Sequence, residues 1–462
     1  MKDFSYILPA FKAYDIRGRV PQELNSEAAF RIGAAFAKVI GAKKAVIGRD
    51  IRLTSPELSQ AFSEGLMSMG VDVTDIGLCG TEEIYYACGR YDFDGGVMVT
   101  ASHNPKDYNG IKMVLRGAKP LGKAEGLSEI CALASGGYDF AEDQKNCRKG
   151  GIVSKDIHGE FADYVLSLVD LETIAKAELK VLANCGNGGA NVVLQKLVGK
   201  LPAQLVIMNG EPDGSFPNGI PNPLLPENRQ STSEAVLAHK ANLGAAWDGD
   251  FDRCFFFDEK GRFIEGYYLV GLFAERFLKR FPGASIIHDP RLCWNTREII
   301  ENLGGVPVES KTGHAFIKQA MRDHQAVYGG EMSAHQYFKD FFFCDSGILP
   351  LLMLMELLGQ TGKPLSELVG DMMEKYPVSG EINYKIDVPA EVVFTKVKEK
   401  LQSLYGQPLK ESRIDGLSLE YAEFRLNLRT SNTEPLLRLN AETRQNKALV
   451  AEIVKAVESA LP

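Results

Sequence analysis

The chain has 462 residues, room for roughly three domains at about 150 residues each. Hydrophobic residues make up 45% and charged residues 24%, a globular balance that excludes disorder, collagen-like repeats and low-complexity assembly. The 52 basic and 60 acidic residues leave a net charge of −8, which excludes a global attraction for nucleic acid.

The cysteines at 79, 88, 131, 147, 185, 254, 293 and 344 include no CxxC pair. Zinc ribbons and thioredoxin-like sites are therefore unsupported, and free, mostly buried thiols in a reducing cytosol are expected. The N-terminal apolar stretch is too short for a signal peptide and is interrupted by Lys12 and Asp15. The longest apolar region, Ile348 to Leu358, contains Pro350 and Glu356 and falls short of the roughly 20 residues a bilayer requires. The expectation is a cytoplasmic protein with no membrane and no nucleic-acid partner; its oligomeric state is left open.

Along the chain, Ala45–Gly48 reads as a buried strand, Pro56–Met69 as a helix, Val71–Ile76 as a strand, and Gly96–Val99 as a strand running into TASHNP. The order then returns. Val181–Ala183 leads through a helix to Leu205–Met208, and Leu243–Trp247 runs into DGDFDR. It returns again as Ile286–Ile287, a helix over Asn295–Leu303, strand Val306–Val308, and Ala326–Tyr328 running into GGEMSAH. Such alternation predicts α/β units with largely parallel pairing. Ligand sites gather at the carboxyl ends of strands in open α/β sheets, so three loops are expected to converge on one cleft. After Tyr376–Gly380, a predicted linker, the pattern changes. Ile382–Val388 alternates like a strand, Val392–Leu404 like a helix, Leu417–Leu428 like strands and Ala448–Leu461 like a closing helix. The expected fold is α/β: three tandem α/β domains of similar topology with mixed sheets, plus a smaller C-terminal α+β domain, around a central cleft. The expected boundaries are 1–149, 150–258, 259–375 and 376–462.

Five motifs are able to carry chemistry. In TASHNPKDYNGIK, Ser102 follows a strand in a polar turn with His103 and can serve as a nucleophile or phosphoryl carrier. Lys112 can shuttle a proton if burial or neighbours lower its pKa. The plain alternative is that Ser102 only shapes the turn and Lys112 is a surface charge. In DGDFDR, the alternating Asp248, Asp250 and Asp252 repel one another unless a cation neutralises them, with Gly249 allowing a tight turn. No EF-hand pattern is present, because its sixth position is Arg253; Mg²⁺ with few protein ligands and a phosphate oxygen fits better than a solvated acidic turn. In GGEMSAH, Glu331 and Ser333 suit vicinal sugar hydroxyls, or the segment is a helix cap. KTGHAFIK adds His314, which alone reads as structural. In RTSNTEP, Arg429 offers a planar phosphate ligand, and Ser431, Asn432 and Thr433 offer an anion nest, with Arg438 close by; the alternative is a hairpin turn. Arg17, Arg49 and Arg52 are open between structural and site roles, and Trp247 and Trp294 read as core aromatics.

Four of these five motifs, TASHNP, DGDFDR, GEMSAH and RTSNTEP, in this order, resemble the α-D-phosphohexomutase superfamily along essentially the whole chain. FKAYDIRG, GTEEIYYA, FPNGIPNPLLPE, IIHDPRLCWNT and GEMSAHQYFKDFFFCDSG look most like its bacterial phosphomannomutases. The resemblance implies a phosphorylated Ser102 and Mg²⁺ held by Asp248, Asp250, Asp252 and the phosphoserine. It implies reversible exchange of α-D-mannose 1-phosphate and D-mannose 6-phosphate through a hexose 1,6-bisphosphate, which also acts as activator, in the supply of GDP-mannose. It assigns His103 and Lys112 to proton transfer and phosphate stabilisation, and Arg17 and Arg253 to charge compensation. Tyr14, Thr312, Gly313, His314, Glu331 and Ser333 are expected to bind the sugar phosphate, and Arg429, Ser431, Asn432 and Thr433 to grip its distal phosphate. Arg291 stands where many relatives carry Lys. Glu331 and Ser333 face hydroxyls that glucose and mannose share, so a dual phosphoglucomutase/phosphomannomutase is the alternative. GEMSAH argues against phosphoglucosamine mutases, and an inactive sugar-phosphate-binding protein is the alternative of another class.

Overall fold

Short apolar runs such as Lys44–Arg49 and Gly95–Val99 form strands covered on both faces. Ala45 and Ile47 pack with Phe36 and Phe62 in one core, while Gly48 and Gly96 face Ile84 on the other side. Burial of both faces explains why these strands read as continuous hydrophobic segments rather than alternating ones. The computed structural model describes residues 3–145, 147–430 and 436–461. It divides into two compact units, Met1–Phe263 with Asp340–Gly362, and Ile264–Lys339 with Lys363–Pro462.

In the first unit, one sheet runs in the order Ile16–Arg19, Tyr108–Leu115, Gly95–Val99, Lys44–Arg49, Asp72–Leu78, Ile152–Ser154. Gly95–Val99, Lys44–Arg49, Asp72–Leu78 and Ile152–Ser154 pair in parallel, and Tyr108–Leu115 runs antiparallel to both its neighbours, Ile16–Arg19 and Gly95–Val99. A second sheet places Leu243–Trp247 parallel to Lys180–Asn184 and antiparallel to Cys254–Phe257. Helix Ser26–Ile40 is capped by the Asn25 side chain, which accepts from Ala28 N–H. Helix Ile348–Thr361 is buried around most of its circumference, so its sequence carries apolar mass without a clear stripe.

In the second unit, Val306–Glu309, Ser285–His288 and Tyr328–Gly330 pair in parallel, and Gln336–Phe338 returns antiparallel to Tyr328–Gly330. A further sheet, entirely antiparallel, runs Ile382–Lys385, Leu436–Thr443, Phe424–Thr430, Leu417–Glu420, Lys410–Ser412. Its apolar residues Leu419, Leu426, Leu428, Leu437 and Leu439 share a core with Val393, Val397, Ile453 and Val457 from helices Ala390–Tyr405 and Lys447–Glu458. The three α/β domains with mixed sheets and the smaller C-terminal α+β domain are thus as expected.

Leu417–Leu428 holds two antiparallel strands, as read. One local expectation changes. The predicted linker Tyr376–Gly380 is tied down: Tyr376 is buried, its carbonyl accepts from Tyr268 Oη at 2.7 Å, and Ser379 N–H donates to Ala441 O at 2.9 Å. Pro377 and Gly380 mark turns there, but the turns are packed. Trp247 and Trp294 are core residues, and all eight cysteines are free, six of them buried. Among the described residues no helix is long and apolar enough to cross a membrane.

Candidate active site

Three motifs occupy the same position in their sheets. TASHNP, DGDFDR and EMSAH each join the carboxyl end of a parallel strand to an antiparallel return strand. Residues 331–335 are therefore a hairpin turn, and the helix-cap reading of that segment falls.

The first two motifs meet within the first unit. Ser102 is 3% exposed and adopts a left-handed backbone with φ 48°. A non-glycine residue there is uncommon and is held by its surroundings. The Ser102 amide donates to Thr100 Oγ1 at 2.8 Å, and Thr100 Oγ1 donates to buried Asp50 at 2.7 Å. Arg52 donates to the carbonyls of Ser102, Asn104, Pro105 and Tyr108 at 2.8, 2.6, 2.8 and 2.9 Å. Arg52 is therefore the scaffold of the serine loop. Gly249 lies against that loop: a Cβ there would sit 2.8 Å from the Ser102 carbonyl oxygen. Its backbone is not left-handed, so close approach, rather than the tight turn expected, requires glycine at this position.

Ser102 Oγ donates to Asp248 Oδ2 at 2.7 Å. Arg253 donates to the same oxygen through Nε and Nη2 at 2.9 and 2.8 Å. Arg253 Nη2 also lies 2.6 Å from His103 Nδ1, which is 3.1 Å from Ser102 Oγ. Guanidinium only donates, so Nδ1 of His103 is an acceptor and the ring proton sits on Nε2. Burial pulls the Arg253 pKa down, but Asp248 and then Asp252 outweigh it and hold the group charged.

Asp248, Asp250 and Asp252 are all buried, and their ligand oxygens lie within 4.8 Å of one another. Lys112 Nζ donates to Asp250 at 2.7 Å and Asp252 at 2.6 Å, and Thr81 Oγ1 donates to Asp250 at 2.7 Å. Burial disfavours the ammonium, yet Asp250 and then Asp252 raise the Lys112 pKa above its usual value. The lowered pKa anticipated for a proton shuttle is thus not what these carboxylates produce. Asp250 Oδ1 is buried without a hydrogen-bond partner. Three carboxylates with an unused buried oxygen fit a hard divalent cation. Arg17 donates to Asp15 at 2.8 Å and to Asn104 Oδ1 at 2.7 Å, beside the serine turn, and the partly buried Tyr14 acts electrostatically on it. Arg17 is therefore both a buried ion pair and a neighbour of the serine turn.

The second unit assembles the other candidates. Glu331 is 1% exposed and accepts from Gly313 N–H at 3.0 Å and from Tyr337 Oη at 2.6 Å. Burial raises its pKa, but His335, Arg291 and Tyr337 bring it down to about 2. Arg291 donates to Asp289 at 2.7 Å and to Ser333 Oγ at 3.2 Å, and lies 3.5 Å from Glu331. Arg291 thus organises the loop that carries Glu331 and Ser333. Thr312 Oγ1 is buried without a hydrogen-bond partner, and His314 opens helix His314–Asp323. Arg429 is 3% exposed and pairs with Glu381 at 3.1 Å. Ser431, Asn432 and Thr433 lie outside the described residues; Phe424–Thr430 and Leu436–Thr443 pair antiparallel.

Sequence reasoning missed Asp50, Thr81, Thr100, Asp289 and Glu381, and left Arg52 undecided. Thr100 shares TASHNP with its partner Ser102, and Asp289 shares IIHDPRLCWNT with its partner Arg291, yet neither was singled out. Thr81 falls within GTEEIYYA, a segment singled out only for its resemblance, and Asp50 and Glu381 stand outside the quoted motifs.

Residues 9–137, 159–261 and 265–376 match the phosphoglucomutase/phosphomannomutase alpha/beta/alpha domains I, II and III, and residues 381–460 match the C-terminal domain of the same family. A protein of Xanthomonas campestris named phosphohexose mutases is 50% identical over 460 residues, covering 98% of this chain and 99% of that protein. A phosphomannomutase of Escherichia coli K12 is 49% identical over 448 residues, 96% of each chain. The X-ray structure of a phosphoglucomutase/phosphomannomutase family protein from Burkholderia thailandensis has a TM-score of 0.85 at 30% identity, covering 99% of this chain and 97% of that one.

Proposed function

The chain belongs to the phosphoglucomutase/phosphomannomutase family and is a phosphohexomutase with phosphomannomutase activity, and from that premise we propose which residues carry the reaction. One observation supports the assignment above the others: the buried Ser102 hydroxyl donates to Asp248 inside a triad of aspartates, with Arg253 on the same carboxylate oxygen. Ser102 carries the phosphoryl group. Its P–Oγ bond breaks as a bond forms from phosphorus to the free hydroxyl oxygen of mannose 1-phosphate or mannose 6-phosphate. The hydroxyl proton passes to His103, Ser102 Oγ takes up a proton as its P–Oγ bond breaks, and Lys112, held as an ammonium by Asp250 and Asp252, stabilises the transferring phosphate. The 1,6-bisphosphate then returns its other phosphoryl group to Ser102, restoring the phosphoserine.

Asp248, Asp250, Asp252 and Ser102 are the residues that would hold Mg²⁺, which supplies charge neutralisation at the transferring group. Arg253 and Arg17 add fixed positive charge beside it. Glu331 and Ser333 accept and donate to sugar hydroxyls, Tyr14, Thr312, Gly313 and His314 line the sugar phosphate, and Arg429, Ser431, Asn432 and Thr433 grip the non-reacting phosphate. A hexose 1,6-bisphosphate primes the unphosphorylated enzyme. The proposed domains are 1–149, 150–258, 259–375 and 376–462, and the proposed compartment is the cytoplasm.

A dual specificity is favoured by one observation: the Xanthomonas relative carries the broader name phosphohexose mutases. The deciding measurement is kcat/KM for mannose 1-phosphate and glucose 1-phosphate side by side, with Mg²⁺ and a hexose 1,6-bisphosphate. A strong mannose preference supports supply of GDP-mannose, comparable values make the enzyme dual, and no turnover of either overturns the substrate assignment.

A further inference from the structure

Between Asp250 and Asp252 the chain turns through Phe251, whose backbone is left-handed with φ 45°. For a bulky side chain that conformation is an outlier, and it persists only where neighbours hold it. Phe251 is fully buried and braced on two sides. Its ring lies on Gly80 and its carbonyl on Gly347, each so close that a Cβ there would collide with it. The residue ahead of the triad is braced as well: Trp247 Nε1 donates to Gly347 O at 3.0 Å. One side chain joins the two braces. Glu82, fully buried, accepts from the Ser346 hydroxyl and, at 3.2 Å, from Gly347 N–H. The turn at Gly80 is closed on itself, because Gly80 N–H donates to Glu83 Oε2 at 2.9 Å. Thr81 stands in that turn and holds Asp250 at two points. Its N–H donates to the Asp250 carbonyl at 3.2 Å, and its hydroxyl to Asp250 Oδ2 at 2.7 Å. Lys112 donates to the same Oδ2 at 2.7 Å. Both side-chain donors thus load one oxygen of Asp250 and leave Oδ1 buried without a hydrogen-bond partner.

We propose that Thr81 and Glu82 are positioning residues of the aspartate loop: Thr81 fixes which oxygen of Asp250 is left for a cation, and Glu82 ties together the two turns that hold Phe251 in its strained backbone. The inference rests on the reading of the triad as a Mg²⁺ site. A carboxylate turned in advance loses little freedom when a cation arrives, so its orientation adds to affinity. Hydrogen bonds to ligating carboxylates from outside the ligand set are worth roughly 10–100-fold in metal affinity or activity. The left-handed turn at Phe251 serves the same end, since it brings Asp250 and Asp252 to one ammonium, that of Lys112. Released from Gly80 and Gly347, Phe251 would relax to an ordinary backbone and the two carboxylates would part.

The test titrates the full chain calorimetrically with Mg²⁺ alone, so binding is read without turnover. Thr81→Val keeps the shape and removes the hydroxyl. It should bind Mg²⁺ about tenfold more weakly and raise the Mg²⁺ concentration for half-maximal activity in step, while kcat at saturating Mg²⁺ stays within about threefold of wild type. Thr81→Ser restores the hydroxyl and should recover most of the affinity. Glu82→Leu should also weaken Mg²⁺ binding, and Glu82→Gln, which keeps an oxygen for Ser346 and Gly347, should recover part of it. Ser346→Ala loosens the same tie more gently and decides the point if Glu82→Leu does not fold. A purely structural role would lower the metal-free unfolding midpoint and leave Mg²⁺ affinity at the wild-type value. Equal or tighter binding by Thr81→Val therefore overturns the role of Thr81, and wild-type affinity in a folded Glu82→Leu or in Ser346→Ala overturns the tie. A wild-type protein that binds no Mg²⁺ refutes the metal reading and this inference with it. Normal wild-type binding with unchanged variants refutes this inference alone.

Discussion

Replacing Arg52 with methionine should release the loop that presents Ser102. The guanidinium is 2% exposed and donates to the carbonyls of Ser102, Asn104, Pro105 and Tyr108 at 2.6 to 2.9 Å. A hydrogen bond from a charged donor contributes about 1.5–3 kcal/mol, so four of them formally exceed the roughly 3–5 kcal/mol lost when one member of a buried charge pair is removed. The lower range applies here, because freed carbonyls recruit water, and about 4 kcal/mol is the expected loss. At roughly 2–4 °C per kcal/mol, the unfolding midpoint of the first unit should fall by roughly 8–16 °C. Activity should suffer more, since a misplacement of about 1 Å at a reacting group costs on the order of a hundredfold. Arg52→Lys retains the charge but not the fork and should fall between wild type and Arg52→Met. Calorimetry paired with the rate of phosphoryl transfer to Ser102 is the assay. An Arg52→Met protein that unfolds within about 2 °C of wild type and turns over within about threefold of it would refute the scaffold role.

Ser102→Ala should abolish both turnover and uptake of a phosphoryl group from a hexose bisphosphate, read as the absence of a phosphate-heavier species by intact mass; retained turnover removes Ser102 from the reaction. Lys112→Met leaves the Asp250 and Asp252 carboxylates without their ammonium. The metal-free protein should lose about 3–5 kcal/mol, and Mg²⁺ should raise its unfolding midpoint more than it raises that of wild type; equal rises would show that cation and lysine do not share the site. For Glu331 the folded pKa is depressed to about 2 from an ordinary 4.5, so its stabilisation is present above pH 4.5 and is lost as pH falls towards 2. Glu331→Gln should therefore be destabilised by about 3 kcal/mol at neutral pH, with the gap to wild type closing below pH 4.5; a gap independent of pH contradicts the charge assignment.

Ser102 and the three aspartates were legible because the chemistry is written in contiguous turns, and a turn keeps its neighbours whatever the rest of the chain does. The strands ahead of those turns were legible because both faces are buried and the apolar run is unbroken, as in Leu243–Trp247. The return strands were not. Tyr108–Leu115 reads YNGIKMVL, with Lys112 in its centre, and only the tertiary site explains a buried lysine there. Helix Ile348–Thr361 lacked a stripe because it has almost no exposed face. Arg52 was undecidable because its partners are backbone carbonyls, which leave no residue signature.

Two buried ion pairs at the candidate site share one physical role, and in each the counter-ion lies far off in sequence. Burying unpaired charge costs several kcal/mol per ion, so a pocket built to receive a cation or a phosphate needs internal counter-ions while it waits. Here Lys112 answers Asp250 and Asp252, and Glu381 answers Arg429 and Arg438. The three aspartates lie on one turn and so cluster in sequence, while Arg429 and Arg438 face each other from paired strands. The counter-ion needs only to arrive from any neighbouring strand, so Lys112 comes from 138 residues away from Asp250 and Glu381 from 48 away from Arg429. An internal partner of this kind must give way when a ligand takes its place, and Mg²⁺ binding by Lys112→Met against wild type tests that exchange at the aspartate triad.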